Sequence, residues 1–167
     1  TGMPTRTQQS DILLCAYASH GDTKHVILIP SNPTECFEFS VMAFDLADRL
    51  QTPVIVLSDL DIGMNDFSTE EFKWDEKYSY DRGKVLSKKD LDEIENFGRY
   101  LDIDGDGIPY RTYPGTHPEK GAFFTRGSSH DEYAVYTEDG KVNARNMKRI
   151  LKKHKTASKL IPKPIIK

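Results

Sequence analysis

The chain has 167 residues, of which 37% are apolar and 29% are charged, a composition typical of one soluble globular domain. Its net charge of -3 and its isoelectric point near 5.9 offer no basic surface of the kind that binds nucleic acid. Positive charge is concentrated in the last twenty residues, and we interpret it as the solvated face of a helix rather than a site for an anionic partner. The residues concerned are Lys148, Arg149, Lys152, Lys153, Lys155, Lys159, Lys163 and Lys167.

Two cysteines, Cys15 and Cys36, lie in apolar stretches, and neither has a partner at the C-x-x-C spacing. Because that spacing is absent, a zinc knuckle or an iron–sulfur cluster cannot be built from this chain alone. We expect two buried thiols in a reducing compartment, and therefore a cytoplasmic protein. No apolar run has the length of a membrane span, and the N-terminal residues do not have the pattern of a signal peptide. Turn-like residues 1–4 and linker-like residues 161–164 predict that both ends lie within a longer polypeptide.

The first sixty residues carry the signals of alternating helices and strands. Residues 7–17 contain closely spaced apolar side chains and predict a mostly buried helix that ends before a polar turn. Residues 25–29 form a short apolar and β-branched run between a glycine and a proline, which is typical of a strand buried on both faces.

A helix start follows this strand. Asn32 is a candidate N-cap, Pro33 suits the first helical position, and Glu35 can accept hydrogen bonds from the exposed amides of the first turn. Residues 53–57 then predict a second buried strand. The segment 25–60 is therefore expected to be a parallel, right-handed β-α-β unit, which makes the fold class α/β.

From residue 61 to about residue 140 the chain becomes polar and rich in aromatic side chains, so we expect a long loop-rich excursion of the same domain. Ser87 predicts the N-cap of a short helix that reaches residue 96. Residues 142–155 predict a basic helix that directs three apolar side chains inward, Met147, Ile150 and Leu151. The predicted division is an α/β half at 1–60, the excursion at 61–140, and a C-terminal basic helix and linker at 141–167.

Three short polar motifs near the predicted strands are candidates for ligand contacts. The planar guanidinium of Arg6 suits the carboxylate of an anionic substrate. Residues 1–6 alone nevertheless favour an arginine that pairs with a nearby acid of the protein. His20 and Asp22 lie in a polar turn, where a hydrogen-bonded turn histidine is favoured over a proton donor. Asp59 follows the second strand, at the edge where open α/β sheets bind ligands. Ligand contact and a capping or turn role are equally expected for it.

An acidic motif matches the first half of a calcium-binding EF-hand loop. Asp102, Asp104 and Asp106 occupy its first, third and fifth positions, and Gly107 occupies the sixth. The second half does not match, because Tyr113 stands where a bidentate glutamate is needed. A hydrogen-bonded acidic turn is therefore the favoured interpretation, and calcium binding is the alternative.

Residues 110–133 interleave glycine, histidine, arginine and aromatic side chains, a density that favours an ordered binding loop over a solvated linker. His130 is a candidate near a site in this loop. It stands between Ser129 and Asp131, but the members of a catalytic triad meet by folding and not by adjacency. We therefore give hydrolase chemistry little weight.

Taken together, these motifs resemble the alpha subunit of 2-oxoacid:ferredoxin oxidoreductases, most closely the 2-oxoglutarate type. Each motif alone is weak, but their order and spacing make the combination specific, and the resemblance covers essentially the whole chain. The motifs are TGMPTRTQQSD at 1–11, SHGD at 19–22, VIVLSD at 54–59, DGDGIPYRTYPGTHP at 104–118 and TRGSSHDEY at 125–133.

The resemblance implies the later part of a pyrimidine-binding thiamine diphosphate domain, with a parallel sheet covered by helices on both faces. It implies coenzyme A-dependent oxidative decarboxylation of a 2-oxoacid, 2-oxoglutarate before pyruvate or branched-chain acids, with an iron–sulfur cluster on another subunit and ferredoxin as electron acceptor. Thr5 and Arg6 match the stretch that meets the substrate, with Arg6 as the carboxylate contact. The glutamate that activates the cofactor is expected upstream of Thr1, and the diphosphate and magnesium site in the beta subunit. The isolated chain is therefore expected to be inactive.

A hypothesis from a different class is a non-enzymatic calcium-binding or subunit-interaction module. It is motivated by the acidic motif at residues 102–106 and by the basic C-terminal segment. The two hypotheses differ in whether the acidic motif binds calcium, so calorimetry with calcium and an Asp104→Ala variant discriminates between them.

Overall fold

The computed structural model describes residues 7–19, 24–124 and 128–166. The chain divides into two compact units, Thr1–Asp81 and Arg82–Lys167. Within the described ranges, no helix combines the length and the apolar character needed to cross a membrane.

The first unit is built on a pair of parallel strands. In chain order its elements are α1 (Ser10–Ala16), β1 (Val26–Leu28), α2 (Pro33–Leu50), β2 (Val54–Val56) and α3 (Leu60–Met64). The strands β1 and β2 pair in parallel with Val26 opposite Val54, and α2 connects them and packs against β2. This is the predicted β-α-β unit, and the α/β class is confirmed.

The predicted start of α2 is confirmed in atomic detail. The Asn32 side chain accepts a hydrogen bond from the backbone N–H of Glu35 at 3.0 Å, and Pro33 occupies the first turn. The Glu35 carboxylate accepts in turn from the backbone N–H of Ser31 at 2.7 Å. The helix ends at Leu50, because the cap residue Gln51 has a left-handed backbone (φ 51°) that does not continue the helical hydrogen bonds.

The prediction of a mostly buried helix over residues 7–17 is wrong. The helix is shorter, and none of its residues is buried: Ile12 is 48% exposed, and Leu13 and Leu14 are each 66% exposed. Apolar spacing shows which side chains gain from burial, but it does not show whether a neighbouring element covers them. Cys15 and Cys36 are free and only half-buried, so the expected buried thiols are not found either.

The second unit is mostly irregular, with two helices in its described part, α4 (Lys88–Glu93) and α5 (Gly140–Ala157). The predicted cap of α4 is confirmed, because Ser87 and Asp90 form a reciprocal capping box. The helix is shorter than predicted and ends at Glu93, because the backbone of Ile94 is extended. Among the described residues of this unit, four apolar side chains are buried, namely Leu86, Leu91, Ile108 and Ala157.

The basic helix predicted at residues 142–155 is observed as α5, with Asp139 as its N-cap. Its inward face differs from the prediction in one position, because Leu151 is 47% exposed while Met147 and Ile150 are half-buried. The buried polar residue of the helix is Asn146, 6% exposed, whose amide donates to the backbone carbonyl of His130 at 2.6 Å. A buried hydrogen bond thus helps to fix the inward face of α5, and the spacing of apolar residues does not predict such a contact.

Candidate functional site

A cleft in the first unit lies at the carboxyl ends of β1 and β2. It has a volume of about 300 Å³, and its walls include Thr7, Gln8, Ile29, Leu57, Ser58 and Asp59. A second cavity of about 550 Å³ shares two of these residues, Thr7 and Asp59, and adds Leu60, Asp61 and Met64. The carboxyl edge of a parallel sheet is where open α/β folds bind ligands, so this carboxyl-edge cleft is the first candidate site.

Asp59 has two features at this edge. Its Oδ1 atom accepts a hydrogen bond from the backbone N–H of Ile62 at 2.9 Å and so starts α3. Its side chain also borders both cavities. The capping role and the ligand-edge position, which the sequence presented as alternatives, therefore occur together.

The other candidates of this unit, Thr5, Arg6, His20 and Asp22, lie outside the described residues. The residue that follows Arg6 in the sequence, Thr7, is described, and it lines both cavities of the carboxyl edge.

In the second unit, Asp102, Asp104 and Asp106 form a turn held by hydrogen bonds and lysines. The Lys84 ammonium lies 2.6 Å from Asp104 Oδ2 and 2.8 Å from Asp106 Oδ2. Asp102 Oδ1 accepts from the backbone N–H of Gly107 at 2.9 Å, and Asp102 Oδ2 lies 3.3 Å from the Lys152 ammonium. These contacts favour the acidic-turn interpretation over calcium binding.

The electrostatics of this turn agree with its geometry. The hydrogen bond from Lys84, together with one from Tyr110, lowers the pKa of Asp104. Partial burial opposes the charge on Lys84, but the hydrogen bonds to Asp104 and Asp106 outweigh it and raise the pKa of Lys84. Across the described ranges, no three histidine, cysteine, aspartate or glutamate side chains are grouped to hold a metal ion. The carboxylates of Asp104 and Asp106 are thus paired with a lysine ammonium.

The His130 side chain is placed by a stacked ring and a hydrogen bond to the backbone. Its ring lies over that of Tyr100 with centroids 3.9 Å apart. Its Nδ1 atom donates to the carbonyl of Asp131 at 2.9 Å, so the neutral ring carries its lone pair on Nε2. The residue borders a cavity of about 340 Å³ with an aromatic wall, lined also by Phe124, Ser129, Tyr133, Ala134, Val135 and Tyr136.

The loop around His117 packs onto the end of α4. His117 Nδ1 accepts two backbone N–H bonds, one of them from Lys120 at 2.8 Å, so its Nε2 carries the proton and donates to Asp92 at 3.0 Å. The Lys120 ammonium donates to the carbonyls of Leu91 at 3.1 Å and Ile94 at 2.9 Å. This part of the predicted binding loop is ordered by contacts to the protein's own backbone.

Sequence reasoning did not identify Lys84 or Lys120. Lys84 lies 20 and 22 residues before its two aspartates, and Lys120 lies 29 residues after the first carbonyl that it contacts. Such partners carry no local spacing signal. Only the excess of acids in the turn could have indicated that a cation is recruited from elsewhere.

A family model for the thiamine-diphosphate-binding region of pyruvate flavodoxin/ferredoxin oxidoreductases matches residues 1–155. The chain belongs to this family. The resemblance recognised from the motifs is confirmed, and the parallel sheet with its connecting helix is part of the family's thiamine-diphosphate-binding fold.

Among the curated members of this family, the chain is 32% identical over 165 residues to "2-oxoacid:ferredoxin oxidoreductase 1, subunit alpha" of Sulfurisphaera tokodaii. That match covers 97% of the chain and 25% of the relative. A shorter match, 48% identical over 63 residues, is to "2-oxoglutarate synthase subunit KorA" of Methanothermobacter marburgensis, and it covers 38% of the chain and 17% of that relative. The chain thus spans about a quarter of the length of the alpha subunit that it matches from end to end.

A solved structure shows the same fold. It is a 2-oxoglutarate:ferredoxin oxidoreductase from Magnetococcus marinus with 2-oxoglutarate, coenzyme A and succinyl-CoA bound, and it superimposes with a TM-score of 0.78 at 24% identity. The superposition covers 97% of this chain and 27% of that chain.

Proposed function

We propose that this chain is a segment of the alpha subunit of a 2-oxoacid:ferredoxin oxidoreductase, an enzyme that decarboxylates 2-oxoglutarate oxidatively with coenzyme A. The observation that carries the proposal is the match of 97% of the chain to the alpha subunit from Sulfurisphaera tokodaii. The choice of 2-oxoglutarate is supported by the 48% identity to a 2-oxoglutarate synthase subunit. Pyruvate and branched-chain 2-oxoacids are the less favoured substrates.

In this proposal, Thr5 and Arg6 bind the substrate, and the Arg6 guanidinium pairs with a substrate carboxylate. The assignment is supported by the next residue, Thr7, which lines both cavities at the carboxyl edge of the sheet. Four residues are weaker candidates for positions near the site, His20, Asp22, Asp59 and His130.

The cofactors and partners follow from the same assignment. Thiamine diphosphate supplies the carbanion chemistry of decarboxylation when bound, and its diphosphate and magnesium ligands are assigned to the beta subunit. An iron–sulfur cluster on another subunit passes electrons to ferredoxin, and coenzyme A is the co-substrate. The enzyme is cytoplasmic in this proposal, and the isolated chain has no turnover.

The test is 2-oxoacid-dependent reduction of ferredoxin or a viologen by the full-length alpha subunit that contains this segment, coexpressed with its beta subunit. We expect Arg6→Ala to lower kcat/KM for 2-oxoglutarate by about one to two orders of magnitude, the effect of losing a charge-assisted hydrogen bond. Most of the loss is expected in KM, because a carboxylate contact serves the bound substrate and the transition state alike.

Arg49→Ala is the matched control. Arg49 lies on α2 in the same unit and pairs with Asp81 at 3.1 Å, outside the lining of both carboxyl-edge cavities. Its removal is expected to leave KM unchanged. Wild-type enzyme without 2-oxoacid-dependent reduction would disprove the proposed activity, whereas an active Arg6→Ala enzyme with unchanged KM would disprove only the role of Arg6.

A further inference from the structure

Three half-buried cations lie close together in the second unit. Arg149 and Lys153 are one turn apart on α5, and Arg99 comes from the loop after α4. Burial, followed by repulsion from Arg149 and Arg99, lowers the pKa of Lys153 to about 8. Burial is also the main cause that lowers the pKa values of both arginines, with added repulsion from Arg111 on Arg99 and from Arg99 on Arg149. Keeping these three side chains charged therefore costs free energy.

The nearby acids are already engaged with other groups. Glu132 receives two hydrogen bonds from the Arg145 guanidinium, at 2.7 and 3.2 Å. Asp102 contacts the Lys152 ammonium and the backbone N–H of Gly107. Both acids attract Arg149, but each is shared with another cation, so the cluster keeps an excess of positive charge.

Two guanidinium nitrogens of the cluster lack hydrogen-bond partners within the part of the chain that the structure describes. These atoms are Arg99 Nη1 and Arg149 Nε, and both are inaccessible to solvent. Arg99 instead lies over the rings of Tyr100 and Phe123, at 5.2 and 5.4 Å. Buried donors are normally paired, so these two are an unusual feature.

A cleft of about 310 Å³ opens beside this cluster, within the size range of small-molecule sites. The charged residues in its wall are Arg145, Lys148, Arg149 and Lys152 on α5 and the acids Asp102 and Glu132, which leaves two positive charges in excess. Lys148 is exposed, and no partner is found for it among the described residues.

We propose that this cleft of the second unit, the α5 cleft, binds a phosphate group, which Arg149 and Lys148 hold at its wall. The half-buried cations Arg99 and Lys153 lie near Arg149 and add positive charge to this region. A phosphate monoester carries about two negative charges near neutral pH, which matches the two excess positive charges in the cleft wall. A single carboxylate would neutralise only half of that excess. The planar guanidinium and the mobile ammonium are the two side-chain donors that phosphate sites commonly use.

The cleft is larger than a phosphate group, so the ligand is either free phosphate or the phosphate of a larger molecule. Coenzyme A, which the structural neighbour binds, is one such molecule. The phosphate site depends on the charges of this unit alone and not on the 2-oxoacid chemistry proposed above.

Calorimetric titration of the chain with inorganic phosphate tests the proposal, with chloride buffer of matched ionic strength as the reference. We expect saturable binding, which Lys148→Gln weakens about fivefold, the effect of one charge contact. Lys155→Gln is the matched control, because Lys155 is an exposed lysine of the same helix that does not line the cleft. It removes the same charge and is expected to leave the affinity unchanged.

Coenzyme A and pantetheine, which has no phosphate, identify the source of the phosphate. Tighter binding of coenzyme A than of inorganic phosphate, with the same dependence on Lys148, assigns the cleft to a cofactor phosphate. Equal affinities assign it to free phosphate. The proposal is overturned if phosphate shows no binding beyond chloride, if Lys148→Gln and Lys155→Gln have equal effects, or if pantetheine binds as well as coenzyme A.

Discussion

Gly107 is the residue at which the acidic turn meets α5. Its backbone has a positive φ of 84°, and a Cβ atom built there would lie 2.4 Å from the backbone nitrogen of Lys153 and 2.7 Å from the carbonyl oxygen of Arg149. Backbone atoms in a helix cannot move aside as a flexible side chain can. The turn approaches the helix this closely only because residue 107 has no side chain.

We therefore expect Gly107→Ala to destabilise the chain by about 3 kcal/mol or more, from left-handed backbone strain together with overpacking against α5. The measurement is urea unfolding followed by circular dichroism. Gly115→Ala separates the two causes, because Gly115 has a similar φ of 81° but no atom within 4 Å of a built Cβ. Its cost is expected to be about 1 kcal/mol. Equal costs for the two variants would contradict the close approach.

The acidic turn also shows how far local sequence determines a site. Its three aspartates and Gly107 indicated a tight acidic turn, and the structure has one. The same residues did not indicate that Lys84 would lie between Asp104 and Asp106, because that lysine comes from a segment without a recognisable pattern. The basic C-terminal helix was interpreted as a solvated face, yet two of its cations, Arg149 and Lys153, are half-buried. Charge in a sequence does not report burial.

At the scale of elements, the short helix α4 depends on partners at both ends. The backbone N–H groups at its start are hydrogen-bonded within the local sequence, by the capping box of Ser87 and Asp90. Its last carbonyl groups have no partner within the helix, and the Lys120 ammonium binds those of Leu91 and Ile94 from a distant loop. A cation at this end also interacts favourably with the helix dipole.

Lys120→Met removes the ammonium while keeping a long side chain. We expect a loss of about 1 to 3 kcal/mol in the free energy of unfolding, the usual range for a hydrogen bond made by a charged group. Lys88→Met, at the first position of the same helix, is the control and is expected to change stability by less than about 0.5 kcal/mol. Urea unfolding measures both variants, and a loss of equal size at Lys88 would exclude the capping role of Lys120.

Elements with short-range signals were predicted well, and elements that depend on distant partners were not. The cap of α2 at Asn32 and the cap of α4 at Ser87 are decided within four residues of sequence, and both are observed. The burial of α1 is decided by what packs on it, and its leucines are exposed within the described structure. The five-residue helix α3 was not predicted as a helix, although its cap Asp59 had been considered as one.

At the scale of the whole molecule, acid is expected to destabilise both units, because hydrogen bonds lower the pKa values of four carboxyl groups, Glu35, Asp90, Asp104 and Glu132. A lowered native pKa means that the unfolded chain binds more protons, so this stability is complete above the unfolded pKa values of about 4 and is lost as pH falls through the native ones. Urea midpoints should therefore stay nearly constant from about pH 6 to about pH 5 and then fall as the pH is lowered to about 3. The Asp104→Asn, Glu132→Gln double variant, whose amides do not titrate, should show a shallower fall. Parallel curves for the two proteins would mean that the contacts with Lys84 and Arg145 do not stabilise the fold.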